Sequence, residues 1–290
     1  MKVLVSPFRN PFINLALEDH FLRGGADLPV LFLYVNRPCV VLGRFQNPWI
    51  ECNLNYLVQN DIWLVRRQSG GGCVFHDEGN LNFSLITQDK MVDRNQLPKL
   101  IKDAFKSVDL NLEISPRNDL WLNGKKISGS AYKQTKDGSF HHCTFLVSSD
   151  LDKLEECLKH TIVPKNTQSI ASVRSRVISL RDTLKDAEVE DVVEIITHHL
   201  GLSTMGIDGS FLSIPQVQEN FQQLRGQEWL WSETPGFELE EGIRVRKGQL
   251  EGEYSGPFTR ESASKILSPE RLDKLFPDFS EQHRSSNLIL

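Results

Sequence analysis

The chain has 290 residues, 39% hydrophobic and 24% charged, the composition of an ordinary globular protein with room for one large domain, or one large and one small. Its net charge of −5 argues against a general nucleic-acid binder, and no apolar run is long enough to span a bilayer, since residues 28–35 are only strand-sized. Five cysteines, at 39, 52, 73, 143 and 157, form no Cys-x-x-Cys pair and cannot all pair within one chain, so free thiols in a reducing compartment are the simplest account.

Asn14 fits the N-cap of a helix running to Arg23 and stopped by Gly24-Gly25, with Leu15, Leu17, Phe21 and Leu22 at helical spacings. Two strand-like runs follow at 30–35 and 39–42, then a short helix at 54–59 and an alternating strand at 61–65. That strand leads into Arg66-Arg67-Gln68-Ser69-Gly70-Gly71-Gly72-Cys73-Val74-Phe75-His76-Asp77. Three glycines allow close backbone approach to a ligand, successive amides can form an anion-binding concavity, and two arginines suit bidentate anion recognition. No Gly-Lys-Ser/Thr follows, so this is not a Walker A loop, and the G-x-G-x-x-G spacing is absent.

Beyond the loop, 81–87 reads as a strand and 97–108 as a helix. Asn123-Gly124 between apolar flanks predicts a two-residue hairpin, pairing Leu122 with Lys125, Trp121 with Lys126 and Leu120 with Ile127. Paired residues share a face, so Lys126 points with Trp121 and away from Leu120 and Ile127. A solvated charge suits Lys125 beside the turn; for Lys126 the small residues Ser128-Gly129-Ser130-Ala131 leave room for a ligand. The turn 136–138 enters a strand at 140–147 containing His141-His142-Cys143, for which the other histidines supply no recognised metal spacing, so no metal site is expected. Helices are predicted at 150–160, 178–184, 189–200 and 269–275; 228–231 closes the main domain, and the chain past Gly242 reads as otherwise polar and irregular.

With both regions in view, the chain resembles the lipoate–protein ligase A and lipoyltransferase family. The matching segments are 12–18, Gly43-Arg44-Phe45-Gln46-Asn47-Pro48-Trp49, the glycine loop with His76-Asp77-Glu78-Gly79-Asn80, and 117–133. They continue through His141-His142-Cys143-Thr144 and Ser172-Val173-Arg174-Ser175-Arg176-Val177 to Glu228-Trp229, covering roughly residues 1–240. The resemblance implies an α+β fold related to biotin–protein ligases and class II aminoacyl-tRNA synthetase cores, a mixed β-sheet core with flanking helices and a short C-terminal extension. On this reading 1–241 is the catalytic domain and 242–290 a reduced accessory domain or extension.

The resemblance also implies adenylate chemistry: lipoate and ATP, with Mg2+, give lipoyl-AMP and pyrophosphate, and the acyl group then passes to a lysine amine. The implied acceptors are apo lipoyl domains of 2-oxoacid dehydrogenase E2 subunits and the glycine cleavage H protein. Lys126 matches the family's essential lysine and would bridge the carboxyl oxygen and α-phosphate, where a cationic donor meets developing charge. Arg67 and the amides of Gly72, Cys73, Val74 and Phe75 would hold nucleotide and phosphate, with Arg117, Asp119 and Thr144 as further adenylate contacts. Leu17, Tyr34, Val41 and Phe75, together with Lys126, would serve the lipoyl group; each of those four apolar or aromatic residues has a core-packing alternative. Bacterial ligases resembling this chain often have Trp where Tyr34 stands.

Biotin–protein ligases share the hairpin logic but carry a Gly-Arg-Gly-Arg loop, and octanoyltransferases use an acyl-carrying cysteine where this chain has Gly138. Nothing in the sequence supplies a base to activate Cys73. A lipoyltransferase using preformed lipoyl-AMP or a lipoylated carrier protein stays open as the alternative to a complete ligase, and a non-enzymatic lipoyl-domain binder as a third reading. A monomer is expected. The N-terminus shows neither a secretory h-region nor an Arg/Ser-rich transit peptide, which favours the cytoplasm, or the mitochondrial matrix if the source is eukaryotic.

Overall fold

The six-residue run Val30–Val35 forms a strand buried along its whole length, as a run with no polar interruption requires when both faces of a sheet are covered. It lies within a computed structural model that describes residues 1–91, 93–160, 166–239, 242–251 and 256–279. The chain divides into two units, 1–37 with 76–151 and 174–221, and 38–75 with 152–173 and 222–290.

The first unit is built on a six-stranded mixed sheet in the order Ser130–Gln134, Ser139–Leu146, Asn80–Thr87, Val30–Val35, Lys2–Val5, Thr204–Gly206. Its first four strands pair antiparallel and its last three parallel, with Tyr34 opposite Asn82 and Phe83 opposite Cys143. The first helix is Pro11–His20, and its cap corrects the expectation of Asn14: Asn10 accepts from the amides of Phe12 and Ile13, and Pro11 opens the helix. Proline is preorganised for that first position, where its missing N–H costs nothing. Asn14 is instead buried inside the helix, accepting from Ser6 Oγ (2.6 Å) and donating to Phe8 O and Asn36 Oδ1 (both 2.8 Å).

The predicted helix at 189–200 is present as Val189–Leu200, closed by Gly201 at φ 62, and that at 97–108 is Gln96–Phe105 with a further 3-10 turn. At 178–184 only the 3-10 turn Leu180–Asp182 forms. The chain just before it is held extended, since Lys126 N–H donates to Arg176 O (2.9 Å) and Ile178 N–H to Lys126 O (3.0 Å). The hairpin of Leu120–Leu122 and Lys125–Ser128 pairs Leu122 with Lys125 and Trp121 with Lys126 as expected. One step further a bulge puts Ser128, not Ile127, opposite Leu120, an offset of one residue from the expected pairing, and Leu120 and Ile127 are both buried.

The second unit places Cys39–Leu42 between Trp63–Arg66, to which it runs parallel, and Val74–His76, whose last residue belongs to the first unit. Helices Pro48–Glu51 and Leu54–Gln59 flank these strands, and Leu151–Cys157 contributes from Asp152 onward. The described residues past Gly242 are more ordered than their polarity suggested. Strands Phe237–Glu238, Arg244–Arg246, Gln249–Glu251 and Gly256–Pro257 form an antiparallel sheet, followed by helices Arg260–Ala263 and Pro269–Leu275. Single apolar residues, among them Val245, Leu250, Phe258 and Leu275, share a core with Trp49. Trp49 stacks near Trp231, Phe237, Phe258 and Phe276, with ring centroids 5.0–6.2 Å away, and its Nε1 donates to Leu275 O (2.6 Å). Isolated apolar residues amid charges average to a polar segment, which conceals that each one fills the same core. All five cysteines are buried thiols outside any disulfide.

Candidate functional site

The glycine loop lies in the second unit, and its two arginines turn inward. Arg66 is fully enclosed, and burial lowers its guanidinium to about 10. Nη1 donates to the carbonyls of Gly43, Arg44 and Gln46, Nε and Nη2 to that of Leu230, and Nη2 also to Thr234 Oγ1. Arg66 therefore corrects the expectation of two anion-facing arginines, because backbone carbonyls lacking ladder partners take its donors.

Arg67 is also buried, with Nη2 on Gly70 O (2.6 Å) and Gly72 O (2.8 Å), Nη1 on Val41 O (3.0 Å) and Nε on Ser69 Oγ (2.9 Å). The only cis peptide bond among the described residues joins Leu28 and Pro29, so the loop peptides are trans. In a trans peptide the carbonyl and the next N–H point opposite ways, so drawing in the Gly70 and Gly72 carbonyls turns the Gly71 and Cys73 amides outward. Gly71 adopts φ 88, and a Cβ on Gly43 would stand 2.1 Å from Gly71 O, so both positions require glycine.

The outward Cys73 N–H donates to Ser172 Oγ (2.8 Å), which also accepts from Gln46 Nε2 (2.9 Å). Gln46 is buried; its Nε2 reaches Ile170 O as well (3.2 Å), and its Oε1 accepts from Gly43 N–H (3.0 Å). The Cys73 thiol faces the buried thiol of Cys52 at 3.7 Å, which burial pushes up, so it has a neutral neighbour rather than an activating base. Val74 and Phe75 lie in the strand beside Cys39–Leu42, and Phe75 fills the core cluster that includes Val40 and Leu42.

Lys126 belongs to the first unit. Its Nζ lies 3.0 Å from Asp119 Oδ2, with the two side chains 22% and 13% exposed, sheltered yet within reach of a ligand. Asp119 Oδ1 accepts from Ser130 N–H (3.2 Å), Gly129 N–H donates to Thr144 Oγ1 (3.2 Å), and Thr144 N–H returns to Gly129 O (3.1 Å). A Cβ at Gly129 would stand 3.1 Å from Lys126 Cε and 3.2 Å from Nζ. Asp119, Lys126 and Thr144 are thus gathered around one small residue. Arg117 lies exposed on the preceding turn, its N–H on Ser115 Oγ (3.3 Å), and among the described residues no contact joins its side chain to that group.

Of the lipoyl candidates, Leu17 and Tyr34 are buried in the first unit, where the Tyr34 ring sits 5.0 Å from Phe32; Val41 and Phe75 are buried in the second. His142 Nδ1 faces Glu18 (3.0 Å), and His141 Nε2 faces Ser130 Oγ (3.0 Å). Burial, with smaller contributions from His142 and Arg94, pushes His141 down to about 3 and keeps it neutral. The described residues contain no cluster of three or more His, Cys, Asp or Glu suited to a metal. No helix among them is long and apolar enough to cross a membrane. Sequence reasoning gave no role to Gln46 or Ser172, although both stood in the segments quoted above, whereas Gly129 stood in the small-residue run expected to leave room beside Lys126.

Residues 10–201 match the lipoyl protein ligase A/B catalytic domain. The chain is 36% identical over 250 residues to the lipoate-protein ligase A of Psychrobacter cryohalolentis, covering 82% of this chain and 74% of that protein. To the lipoate-protein ligase A of Blochmanniella floridana it is 32% identical over 292 residues, covering 95% and 86%. Among solved structures it is similar in fold to P. falciparum LipL1 in complex with lipoate, with TM-score 0.70 and 22% identity over 94% of this chain and 97% of that one. It is also similar to a lipoate-protein ligase A bound with ATP, with TM-score 0.65 and 26% identity over 79% and 97%. A bi-partite lipoate protein ligase of Thermoplasma acidophilum, studied with its E2 lipoyl domain, gives TM-score 0.65 and 26% identity over 79% and 95%.

Proposed function

The chain belongs to the lipoyl protein ligase A/B catalytic-domain family, and from that premise we propose that it is an ATP-dependent lipoate–protein ligase. In the first half-reaction a lipoate carboxylate oxygen attacks the α-phosphorus of ATP and pyrophosphate leaves, giving lipoyl-AMP. In the second a lysine amine of an apo lipoyl domain attacks the acyl carbon, AMP leaves and the amine gives up a proton. Both steps build charge at the acyl–phosphate junction, where a fixed cationic donor lowers the barrier.

The observation that carries this reading is the Lys126 cradle. Asp119 holds the ammonium at 3.0 Å, and the absent side chain of Gly129 leaves it room. Thr144, braced on Gly129, lines the same corner. We assign Arg67 to shaping the glycine loop for nucleotide and phosphate through its carbonyls, with the Gly72 to Phe75 backbone and Arg117 as adenylate contacts. Leu17, Tyr34, Val41 and Phe75 are assigned to the lipoyl slot. ATP enters as its Mg2+ complex, the ion held chiefly by phosphates and water, as is usual for this hard cation. The acceptors are lipoyl domains of 2-oxoacid dehydrogenase E2 subunits and the glycine cleavage H protein, and the working form is a monomer in the cytoplasm, or in the matrix of a mitochondrion. The relatives' names, the ATP bound to one similar structure and the E2 lipoyl domain studied with another support this reading.

The test is lipoate-dependent ATP–pyrophosphate exchange by the purified chain, followed by transfer to an apo lipoyl domain. Both activities are expected. Transfer from supplied lipoyl-AMP without exchange would make the chain a lipoyltransferase, and the absence of both would leave only a lipoyl-domain binder.

A further inference from the structure

The hydroxyl of Ser172 has its direction decided by its neighbours. A serine oxygen has two lone pairs and one proton. Here the oxygen accepts from Cys73 N–H at 2.8 Å and from Gln46 Nε2 at 2.9 Å, so both lone pairs are engaged and the proton must be donated elsewhere. The oxygen is also anchored from behind, because Ser172 N–H donates to Glu51 Oε1 (3.2 Å) and the neighbouring Ile170 N–H to Phe45 O (3.1 Å). It stands 3.3 Å from where a Cβ on Gly72 would be, directly over the glycine loop. The Gly72–Cys73 peptide is meanwhile held at its other end by Arg67 Nη2 on Gly72 O (2.8 Å). An oriented O–H donor is thus fixed over the loop in which Arg67, through Gly70 O, turns the Gly71 amide outward.

We infer that Ser172 is a ligand-contacting residue whose hydroxyl donates to a phosphate oxygen of the nucleotide, and that Gln46 is the positioning residue that aims it. This inference rests on the ligase reading above. A phosphate oxygen accepts without donating, which suits a site whose available groups are an O–H and backbone N–H donors. Adenosine carries no anionic oxygen for this donor, and the carboxylate of lipoate, which could also accept, is assigned above to Lys126.

Titration calorimetry of the full chain with ATP, adenosine and lipoate, with hydrogen exchange of the loop alongside, tests the assignment. Ser172→Ala is expected to weaken ATP roughly 10- to 100-fold, the usual worth of a hydrogen bond to a charged group, and to leave adenosine and lipoate unchanged. Ser172→Thr, which keeps the hydroxyl, should restore ATP affinity to within about threefold, since the donor is again present. Gln46→Met should weaken ATP about tenfold, and combining it with Ser172→Ala should cost less than the two losses added, because Gln46 acts in part through the Ser172 oxygen and in part through Gly43 N–H and Ile170 O; full additivity would overturn the positioning role. Unchanged ATP affinity in Ser172→Ala, equal losses for ATP and adenosine, or faster exchange throughout 66–76 in that variant would each overturn the contact, the last by making Ser172 a scaffold for the loop. A wild-type chain that binds no ATP would instead overturn the ligase reading, and this inference with it.

Discussion

In the glycine loop the guanidinium groups of Arg66 and Arg67 donate to backbone carbonyls and hydroxyls, whereas the ammonium of Lys126 faces a single carboxylate, Asp119, at 3.0 Å. The loop is built by charges that have been spent internally, and what it can offer a ligand is neutral N–H and O–H groups in fixed directions. The hairpin keeps its charge available, shielded by one exchangeable partner. Mutations should accordingly strike the two regions in different currencies, folding for the loop and rate for the hairpin.

The largest effect is expected at Arg66. Replacing it by methionine fills the volume but strands the carbonyls of Arg44, Gln46 and Leu230, while Gly43 O keeps the Gln46 N–H. With a buried unsatisfied group costing about 1–3 kcal/mol, urea unfolding should show a loss of at least about 3 kcal/mol. A loss under about 1 kcal/mol would break the contrast, since water would then be replacing the guanidinium without difficulty. Lys126→Ala comes next: transfer to a lipoyl domain should fall roughly 10²–10³-fold while stability changes by less than about 1 kcal/mol. Lys125, exposed beside the turn, should tolerate the same change with near wild-type transfer. Equal losses at the two lysines would remove the argument from register.

Gly129→Ala is a smaller perturbation that separates position from charge. The new Cβ, 3.1–3.2 Å from Lys126 Cε and Nζ, displaces the ammonium by a few tenths of an ångström and deletes nothing. A loss of about tenfold in transfer is expected, in keeping with the sensitivity of rates to sub-ångström misplacement. Wild-type rates in this variant would show that Lys126 needs only to be charged and nearby.

The difference between the regions also explains what could be read from the sequence. Lys126 was legible because a two-residue Asn-Gly turn fixes register over short range, and Trp121 does pair with Lys126. The register was lost one step later, at a bulge that no local signal announced. Arg66 was legible as important but not in direction, because the oxygens it serves come from segments as distant as Leu230 and Thr234, whereas Arg67 serves mostly its own loop, Ser69, Gly70 and Gly72. The same holds for 178–184, whose helical pattern gave way to bonds with Lys126, and for the chain past Gly242, whose scattered apolar residues gain meaning only around Trp49. Local periodicity was dependable where local contacts dominate, as in Val189–Leu200, and uninformative where distant backbone supplies the partners.

The last effect concerns pH and the first unit. His141 is buried next to Ser130, the residue whose amide holds Asp119, and burial pushes it down to about 3 from an ordinary value of 6.5. Between those values the unfolded chain binds a proton at this position and the folded chain does not, so this histidine makes stability fall as pH drops below about 6.5. At about 1.4 kcal/mol per pH unit, the stability lost between pH 7 and pH 5 is about 2 kcal/mol, all of it present at neutral pH and above. His141→Gln, which cannot be protonated, should flatten the urea-unfolding profile over that window by the same amount. The amides around Ser130 should then loosen on acidification only in the wild type, while the Gly70–Gly72 peptides, held by Arg67, should stay unchanged in both. If the loop loosens in parallel with the hairpin, the two regions share one response to acid, and the separation between a spent charge and an available one is lost.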